Sequence, residues 1–180
     1  MGRESSAKKT YQRFFSKKKP QESAKPCGFF AAEDQVSFRS MTRADLDDVM
    51  AIERTAFTYP WSSRFFLQEL EVECARSILA EVNGRIVGYV LFWLLPDEVD
   101  IHNIAVHREF RRRGLGRILL HQVIARAQRR LSLRVTLEVR ISNIGARKLY
   151  ESMEFAVTGI RKGYYSDNGE DALAMALNLK

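Results

Sequence analysis

Asn103-Ile-Ala-Val-His-Arg-Glu-Phe-Arg-Arg-Arg-Gly-Leu-Gly-Arg-Ile-Leu-Leu120 reads as the end of a strand, a tight basic glycine loop and the first turn of a helix. Asn103 to Val106 is mostly apolar and closes a run that looks buried. From Leu115 the apolar positions 115, 118, 119, 123, 124 and 127 keep helical spacing. The first N–H groups of a helix lack intrahelical partners and carry the positive end of its dipole, so a loop opening onto them can hold a phosphate. Gly114 and Gly116 let the backbone approach a bulky anion and supply positive φ where the turn needs it. The same residues also suit an ordinary strand-to-helix turn with solvated arginines. The rest of the chain has to decide.

Working outward, the chain before this stretch reads as strand, two helices and a hairpin. Val36 to Met41 alternates apolar and polar as a first strand does. Thr42 suits an N-cap, and Leu46, Val49, Met50, Ile52, Ala56 and Phe57 give helix one a buried face. Tyr59-Pro60-Trp61 breaks it, and Ser62 or Ser63 opens a short helix to Glu73 with Phe65, Phe66 and Leu70 as its apolar contacts. Ser77 to Val82 and Arg85 to Leu94 flank Asn83-Gly84, a strong two-residue hairpin signal. Val99 to Val106 then feeds the arginine loop. Beyond the helix from Leu115 to Arg130 come a strand over Arg134 to Val139, a helix over Ile144 to Met153, and strands over Ala156 to Tyr164 and Ala172 to Leu179. The order is that of an α+β fold with one β-α-β crossover.

Composition narrows the classes. The 180 residues are 46% hydrophobic and 28% charged, close to the globular average, so most of the chain folds as one domain. Cys27 and Cys74 give neither a disulfide framework nor a metal-ligand spacing, and no metal is expected. No apolar run reaches the length of a membrane span; the longest, Ile86 to Leu95, is strand-length. The net charge of +7 is concentrated: residues 1–32 hold eight Lys/Arg against Glu4 and Glu22. Residues 1–35 therefore read as a basic, disordered tail and 36–180 as the folded domain. A secretory signal is not expected, because no apolar core follows the basic residues. A solvated tail is the favoured reading. An RNA-touching arm, a transit peptide and a misassigned start codon remain open.

The loop Arg111-Arg-Arg-Gly-Leu-Gly116 resembles the Q/R-x-x-G-x-G/A motif of the GNAT N-acetyltransferases, and the element order is similar to that family's over residues 36–180. Further blocks are similar to the RimI branch: Ala56-Phe-Thr-Tyr-Pro-Trp-Ser62, Asn103-Ile-Ala-Val106, Leu137-Glu-Val-Arg-Ile-Ser-Asn143, Ala146-Arg-Lys-Leu-Tyr-Glu-Ser152, Gly163-Tyr-Tyr165 and Glu170-Asp-Ala172. The resemblance implies a mixed sheet of about seven strands flanked by about four helices. It also implies acetyl-CoA as co-substrate and a cytoplasmic enzyme that acetylates a protein's α-amino group, that of an N-terminal alanine on a small-subunit ribosomal protein. A monomer or weak dimer is expected.

By that resemblance, the backbone from Arg112 through Arg113, Gly114, Leu115 and Gly116 to Arg117 holds the pyrophosphate, and Ile104, Ala105 and Val106 offer strand-edge groups to the pantetheine arm. Asn143 is an added cofactor contact, an N-cap, or both. Glu138 is the candidate base, since an α-ammonium of pKa near ~7.7–8.0 must lose a proton before it attacks. On periodicity alone it reads as a solvated strand carboxylate, with Val135, Leu137 and Val139 facing the core. Tyr150 is the candidate acid for the departing thiolate. Tyr59, Pro60, Trp61, Tyr164 and Tyr165 are candidate substrate contacts, with packing as the competing role. Arg140 and Asp171 match the branch without a chemical role, and His102, His107 and His121 read as structural or surface residues.

Two residues depart from the branch: Glu154 stands where a helix-ending glycine is usual, implying a different helix end or mild strain, and Arg108 replaces a common proline. Two alternatives remain. One is the same fold acting on lysine or a small amine; the other is a ribosome- or RNA-binding module working through the basic tail.

Overall fold

The computed structural model describes residues 35–179; the expectations for the basic tail fall outside the described residues. Seven strands form one sheet in the order β1-β2-β3-β4-β5-β7-β6. They are β1 (Val36–Arg39), β2 (Ala75–Val82), β3 (Arg85–Leu94), β4 (Glu98–Val106), β5 (Arg134–Arg140), β6 (Ala156–Tyr165) and β7 (Glu170–Asn178). Four α-helices accompany them: α1 (Leu46–Ala56), α2 (Ser63–Glu71), α3 (Leu115–Arg129) and α4 (Ile144–Glu151). Among the described residues no helix is long and apolar enough to cross a membrane.

Local sequence explains most of these elements. Asn83 and Gly84 both take positive φ, 51° and 78°, the geometry whose twist matches the flanking strands of a two-residue hairpin. Thr42 starts a 3-10 turn, Arg43–Asp45, ahead of α1, and Asp45 Oδ2 accepts from both the Thr42 N–H and its hydroxyl at 2.8 Å. Arg39 pairs with Asp45 at 2.6 Å and holds that carboxyl well below its ordinary range.

The sheet separates two apolar layers. On one face α3 and α4 cover Val99, Ile101, Val135, Leu137, Val139 and Met175. On the other, α1 and α2 bring Val49, Ile52 and Phe66 against Leu79, Tyr89 and Ala105. Phe66 meets the Tyr89 ring edge-on at 5.6 Å. Phe65, expected as a packing residue of α2, is 57% exposed with its ring 5.9 Å from that of Trp61, because a short helix turns one face to the core and here Phe66 occupies it.

The only parallel pair in this sheet, β4 with β5, is also its shortest interior match: Glu98–Ile101 align with Arg134–Leu137 and pairing stops there. β4 continues to Val106 against β3, and β5 continues to Arg140 against β7. The two strands therefore part beyond Ile101 and Leu137 and leave a cleft between them.

At the end of α4, Glu154 is held at φ 70°, with the Phe155 N–H bonded to the Tyr150 carbonyl at 3.1 Å and the Phe155 ring in the core. The left-handed turn expected of a glycine is thus retained by a glutamate. Glu154→Gly relieves this conformation and should stabilise the fold by about 1 kcal/mol, net of glycine's greater unfolded-state entropy, read as a rise in the urea midpoint with unchanged slope.

Candidate active site

The cleft between β4 and β5 has a volume of ≈ 960 Å³. It brings together Glu138, Tyr150, Ile104, Asn143, Tyr59, Trp61, Tyr164 and Tyr165 from among the residues singled out in the sequence. Pro60 is exposed and does not line it: it turns the chain between Tyr59 and Trp61, which do.

One wall is an unpaired strand edge. The His107 N–H donates to the Val87 carbonyl of β3 at 2.8 Å. Backbone direction alternates along a strand, so the N–H groups of Ile104 and Val106 point the other way, into the cleft, while that of Ala105 points to β3. Ala105 itself packs under α1, so of the three expected strand-edge residues it belongs to the core. The Val106 carbonyl accepts from Arg111 Nε at 3.0 Å, which fixes the first arginine of the loop against the strand end.

The loop then turns with Arg112 at φ 63° and Gly114 at φ 84°. Gly114 caps α3 from a left-handed conformation and, as a glycine, puts no side chain of its own over the helix start. Gly116 serves differently from the expectation of positive φ: a Cβ there would come within 3.1 Å of Leu149 Cδ2, so its role is to let α3 meet α4 closely. Leu115 is a core side chain that offers only its backbone, whereas Arg112 and Arg113 are exposed. Arg117 reaches Ser152 Oγ at 2.7 Å and ties α3 to the end of α4. An exposed pair of arginines beside an uncovered helix start suits a polyanion.

The opposite wall carries the titratable groups. Glu138 lies on the cleft face of β5 with Thr136 and Arg140, while Val135, Leu137 and Val139 are buried on the other face, as alternation predicts. It is not a solvated carboxylate. Arg161 of β6 approaches Glu138 Oε1 at 2.9 Å, and the carboxylate is mostly buried. Burial and then the nearby Asp100 push the Glu138 carboxyl up, against the pull of Arg161 and His102. Tyr150 is 5% exposed, and burial, with Tyr165 beside it, raises its phenol far above the usual value, so it stays protonated and has a hydroxyl hydrogen to donate near neutral pH. Asn143 accepts from the Ala146 N–H at 3.1 Å and so caps α4.

Arg140, without a role in the sequence, ties the two sides of the cleft. Its guanidinium bonds Asp167, Glu170 and Asn168 of the β6–β7 turn, lies 3.7 Å over the Tyr165 ring and 5.8 Å from the Tyr59 ring. Glu170 also accepts from the Ser142 N–H at 2.8 Å, and bonds from Ser142, Arg140 and Asn168 hold its carboxyl at about 2. Burial pushes the Tyr165 phenol up to about 12 despite Arg140. Asp171 instead shapes the turn by accepting from Lys162 Nζ at 2.6 Å and the Gly163 N–H at 2.9 Å.

Several residues of the cleft escaped the sequence reading, Asp100 and Arg161 beside Glu138 among them. His102, taken for a structural or surface residue, lines it. So does Glu53 of α1, which is 1% exposed. Glu53 accepts from the Trp61 N–H at 2.7 Å, from the Tyr89 hydroxyl, and from Asn103 Nδ2 at 3.4 Å. It therefore fastens the α1–α2 loop, with Tyr59 and Trp61, to β3 and β4. The only signal in the sequence was a glutamate among the buried positions of an amphipathic helix, between Ile52 and Ala56.

An open backbone edge running toward a basic helix start suits an extended, polar-backed anionic ligand better than a compact one. The chain belongs to the Acetyltransferase (GNAT) family, which it matches over residues 46–155. It is 39% identical over 142 residues to a Bacillus subtilis (strain 168) protein named provisionally as a [ribosomal protein bS18]-alanine N-acetyltransferase, covering 78% of this chain and 94% of that one. Identity is 36% over 140 residues to the [ribosomal protein bS18]-alanine N-acetyltransferase of Escherichia coli (strain K12), covering 77% and 94%. The crystal structure of the Escherichia coli ribosomal-protein-S18-alanine N-acetyltransferase superposes with a TM-score of 0.75 at 34% identity, covering 81% of this chain and 95% of that one.

Because burial raises the Glu53 carboxyl, outweighing its hydrogen bonds to Tyr89, Trp61 and Asn103, its protonated form is favoured in the fold. Its contribution to stability is fully present below the ordinary carboxyl value and is lost as the pH rises through the raised one. Glu53→Gln, which imitates the protonated acid, should flatten that part of the stability–pH curve. Glu53→Ala should destabilise by about 2–3 kcal/mol, through the unpartnered Trp61 N–H and Tyr89 hydroxyl, in denaturant titrations.

Proposed function

We propose that the chain transfers the acetyl group of acetyl-CoA to the α-amino group of a protein whose first residue is alanine, and that a ribosomal protein is its physiological acceptor. The observation that carries this reading is the placement of Glu138 and Tyr150 in one cleft with the open edge of β4. The relatives named for bS18-alanine acetylation support the choice of acceptor.

The donor supplies an activated acetyl carbonyl. Arg112 and Arg113, with the backbone from Gly114 to Arg117, would hold its pyrophosphate, and Asn143 is an added contact at the start of α4. The inward N–H groups of Ile104 and Val106 would receive its amide arm, one of them facing the carbonyl oxygen as negative charge develops there. Glu138 takes a proton from the acceptor ammonium, directly or through one water, so that the free amine attacks. As the C–S bond breaks, the Tyr150 hydroxyl donates a hydrogen bond to the departing sulfur; its raised value keeps the phenol protonated for that role, and the second proton that the nitrogen loses as the amide forms neutralises the thiolate. Tyr59 and Trp61 on one side, with Tyr164 and Tyr165 on the other, would bracket the first residues of the peptide. The bond from Trp61 to Glu53 and the stack of Arg140 on Tyr165 keep those two sides in place.

The test is acetyl-CoA turnover against short peptides beginning Ala, Ser, Met or Gly, with one N-terminally blocked peptide carrying an internal lysine. Acetylation of the free Ala peptide and not of the blocked one is expected; the reverse moves the acceptor to lysine. Silence on every peptide points to small amines, or to a binding role for the basic segment. Glu138→Gln and Tyr150→Phe should each lower kcat by about 10²-fold or more while leaving the thermal melt close to wild type.

A further inference from the structure

Glu138 is the first residue of β5 past the fork, since Ile101 and Leu137 form the last pair of β4 and β5. Its ion-pair partner does not come from a neighbouring strand. Arg161 belongs to β6, and β7 lies between β6 and β5 in the sheet. The register shows how the side chain crosses. Arg161 faces Ala172 of β7 from one side and Arg140 faces it from the other, while Glu138 faces Ala174. Leu173 and Met175 of β7 are core residues, so alternation turns Ala172 and Ala174 to the cleft face. Two methyl groups leave room for a guanidinium to lie across the strand and reach Glu138 Oε1 at 2.9 Å.

The two ends of this pair are unlike. The Glu138 side chain is 18% exposed and that of Arg161 is 58%, so the carboxylate is fixed in the wall and the guanidinium reaches it from the open side. Both residues line the cleft. Arg161 is also the last residue of β6 before a break in register: Lys162, Gly163 and Tyr164 stand against Asp171 alone, and pairing resumes with Tyr165 and Glu170. That bulge, with Gly163 at φ 58°, places the Tyr164 ring 5.5 Å from the guanidinium, a partner the cation keeps when it leaves Glu138. An ion pair with one partner this exposed contributes little to stability, so it is readily broken.

We propose that Arg161 and the acceptor's α-ammonium are alternative cations on Glu138: the guanidinium holds the carboxylate until the acceptor displaces it, and that exchange frees the base to take a proton. This rests on the reading of Glu138 as the base. The reason lies in the charges before and after transfer. A guanidinium keeps its proton at neutral pH, so with Arg161 in place Glu138 is held as an anion, and protonating it forfeits the ion pair. With the ammonium there instead, passing its proton to Glu138 turns two charges into a neutral amine and a neutral acid, which burial favours. The amine lone pair then attacks the thioester carbon. The groups around Glu138 are Asp100 and His102 on β4 and Arg161, Tyr164 and Tyr165 on β6. Burial and Asp100 raise its carboxyl, and Arg161 leads the two groups that lower it, ahead of His102.

The experiment is the pH dependence of kcat and of kcat/KM for the Ala peptide in wild type, Arg161→Gln, Arg161→Lys and Glu138→Gln, with the peptide Kd measured by calorimetry in the presence of CoA. The ratio kcat/KM reports the enzyme before the peptide binds, and kcat reports the complex. Arg161→Gln should lower KM and Kd for the peptide by about two- to five-fold. It should also move the acid limb of kcat/KM to higher pH by about half a unit to one unit, because the carboxylate has lost its cation. The acid limb of kcat should stay with wild type, since Arg161 has already left Glu138 in the complex. Arg161→Lys keeps a cation and should bring the kcat/KM limb back toward wild type. An unmoved limb, or weaker peptide binding, overturns the inference and marks a brace or a peptide contact. Movement of both limbs together overturns it too, because the guanidinium then stays on Glu138 throughout. Glu138→Gln separates the two levels. If it abolishes turnover while the Arg161 variants track wild type, only this inference fails. If it retains full turnover, the base assignment fails and this inference with it. A peptide that wild type neither acetylates nor binds overturns both.

Discussion

The site depends on a pairing that ends early. β4 and β5 share four residues of parallel register and then part, because β4 keeps following β3 while β5 keeps following β7. A strand that loses a neighbour leaves a row of backbone donors and acceptors unsatisfied, which a fold tolerates only where a ligand or water completes them. Here that row is bounded by the arginine loop, so strand edge and helix start form one continuous polar track. The proposed chemistry is placed where the track begins.

Around the fork, charge is arranged so that few groups act alone. Glu138 is drawn upward by burial and Asp100 and downward by Arg161 and His102, and the balance rather than any single neighbour sets its proton affinity. Arg140 connects the β6–β7 turn to the aromatic loop after α1. Glu53 fastens that same loop from below through the Trp61 N–H. The aromatic side of the cleft is thus held by one partly buried ionic cluster and one fully buried carboxylate. Salt reaches the former more readily than the latter, which is shielded by the core.

Glycine use in the arginine loop separates two physical demands. Gly114 takes the left-handed conformation at the helix start, whereas Gly116 only removes a side chain that would meet Leu149. Arg112 reaches the left-handed region without being glycine, and Glu154 does the same at the end of α4. A family motif records which residues are tolerated at these places, but the backbone angle at each has its own local cause.

The order of elements, their approximate ends, the hairpin at Asn83-Gly84, the face of β5 that carries Glu138 and the membership of the family were legible in the sequence, because each depends on short-range periodicity, turn chemistry or a local motif. What the sequence left open is set by contacts distant in the chain. Ion pairing of Glu138 with Arg161 joins β5 to β6. The network of Glu53 joins α1 to β3 and β4, and the role of Arg140 needs the β6–β7 turn beside it. The place of His102 is open for the same reason: alternation sets the direction of a side chain only while the register is regular, and the bulge at this residue exists only in the assembled sheet.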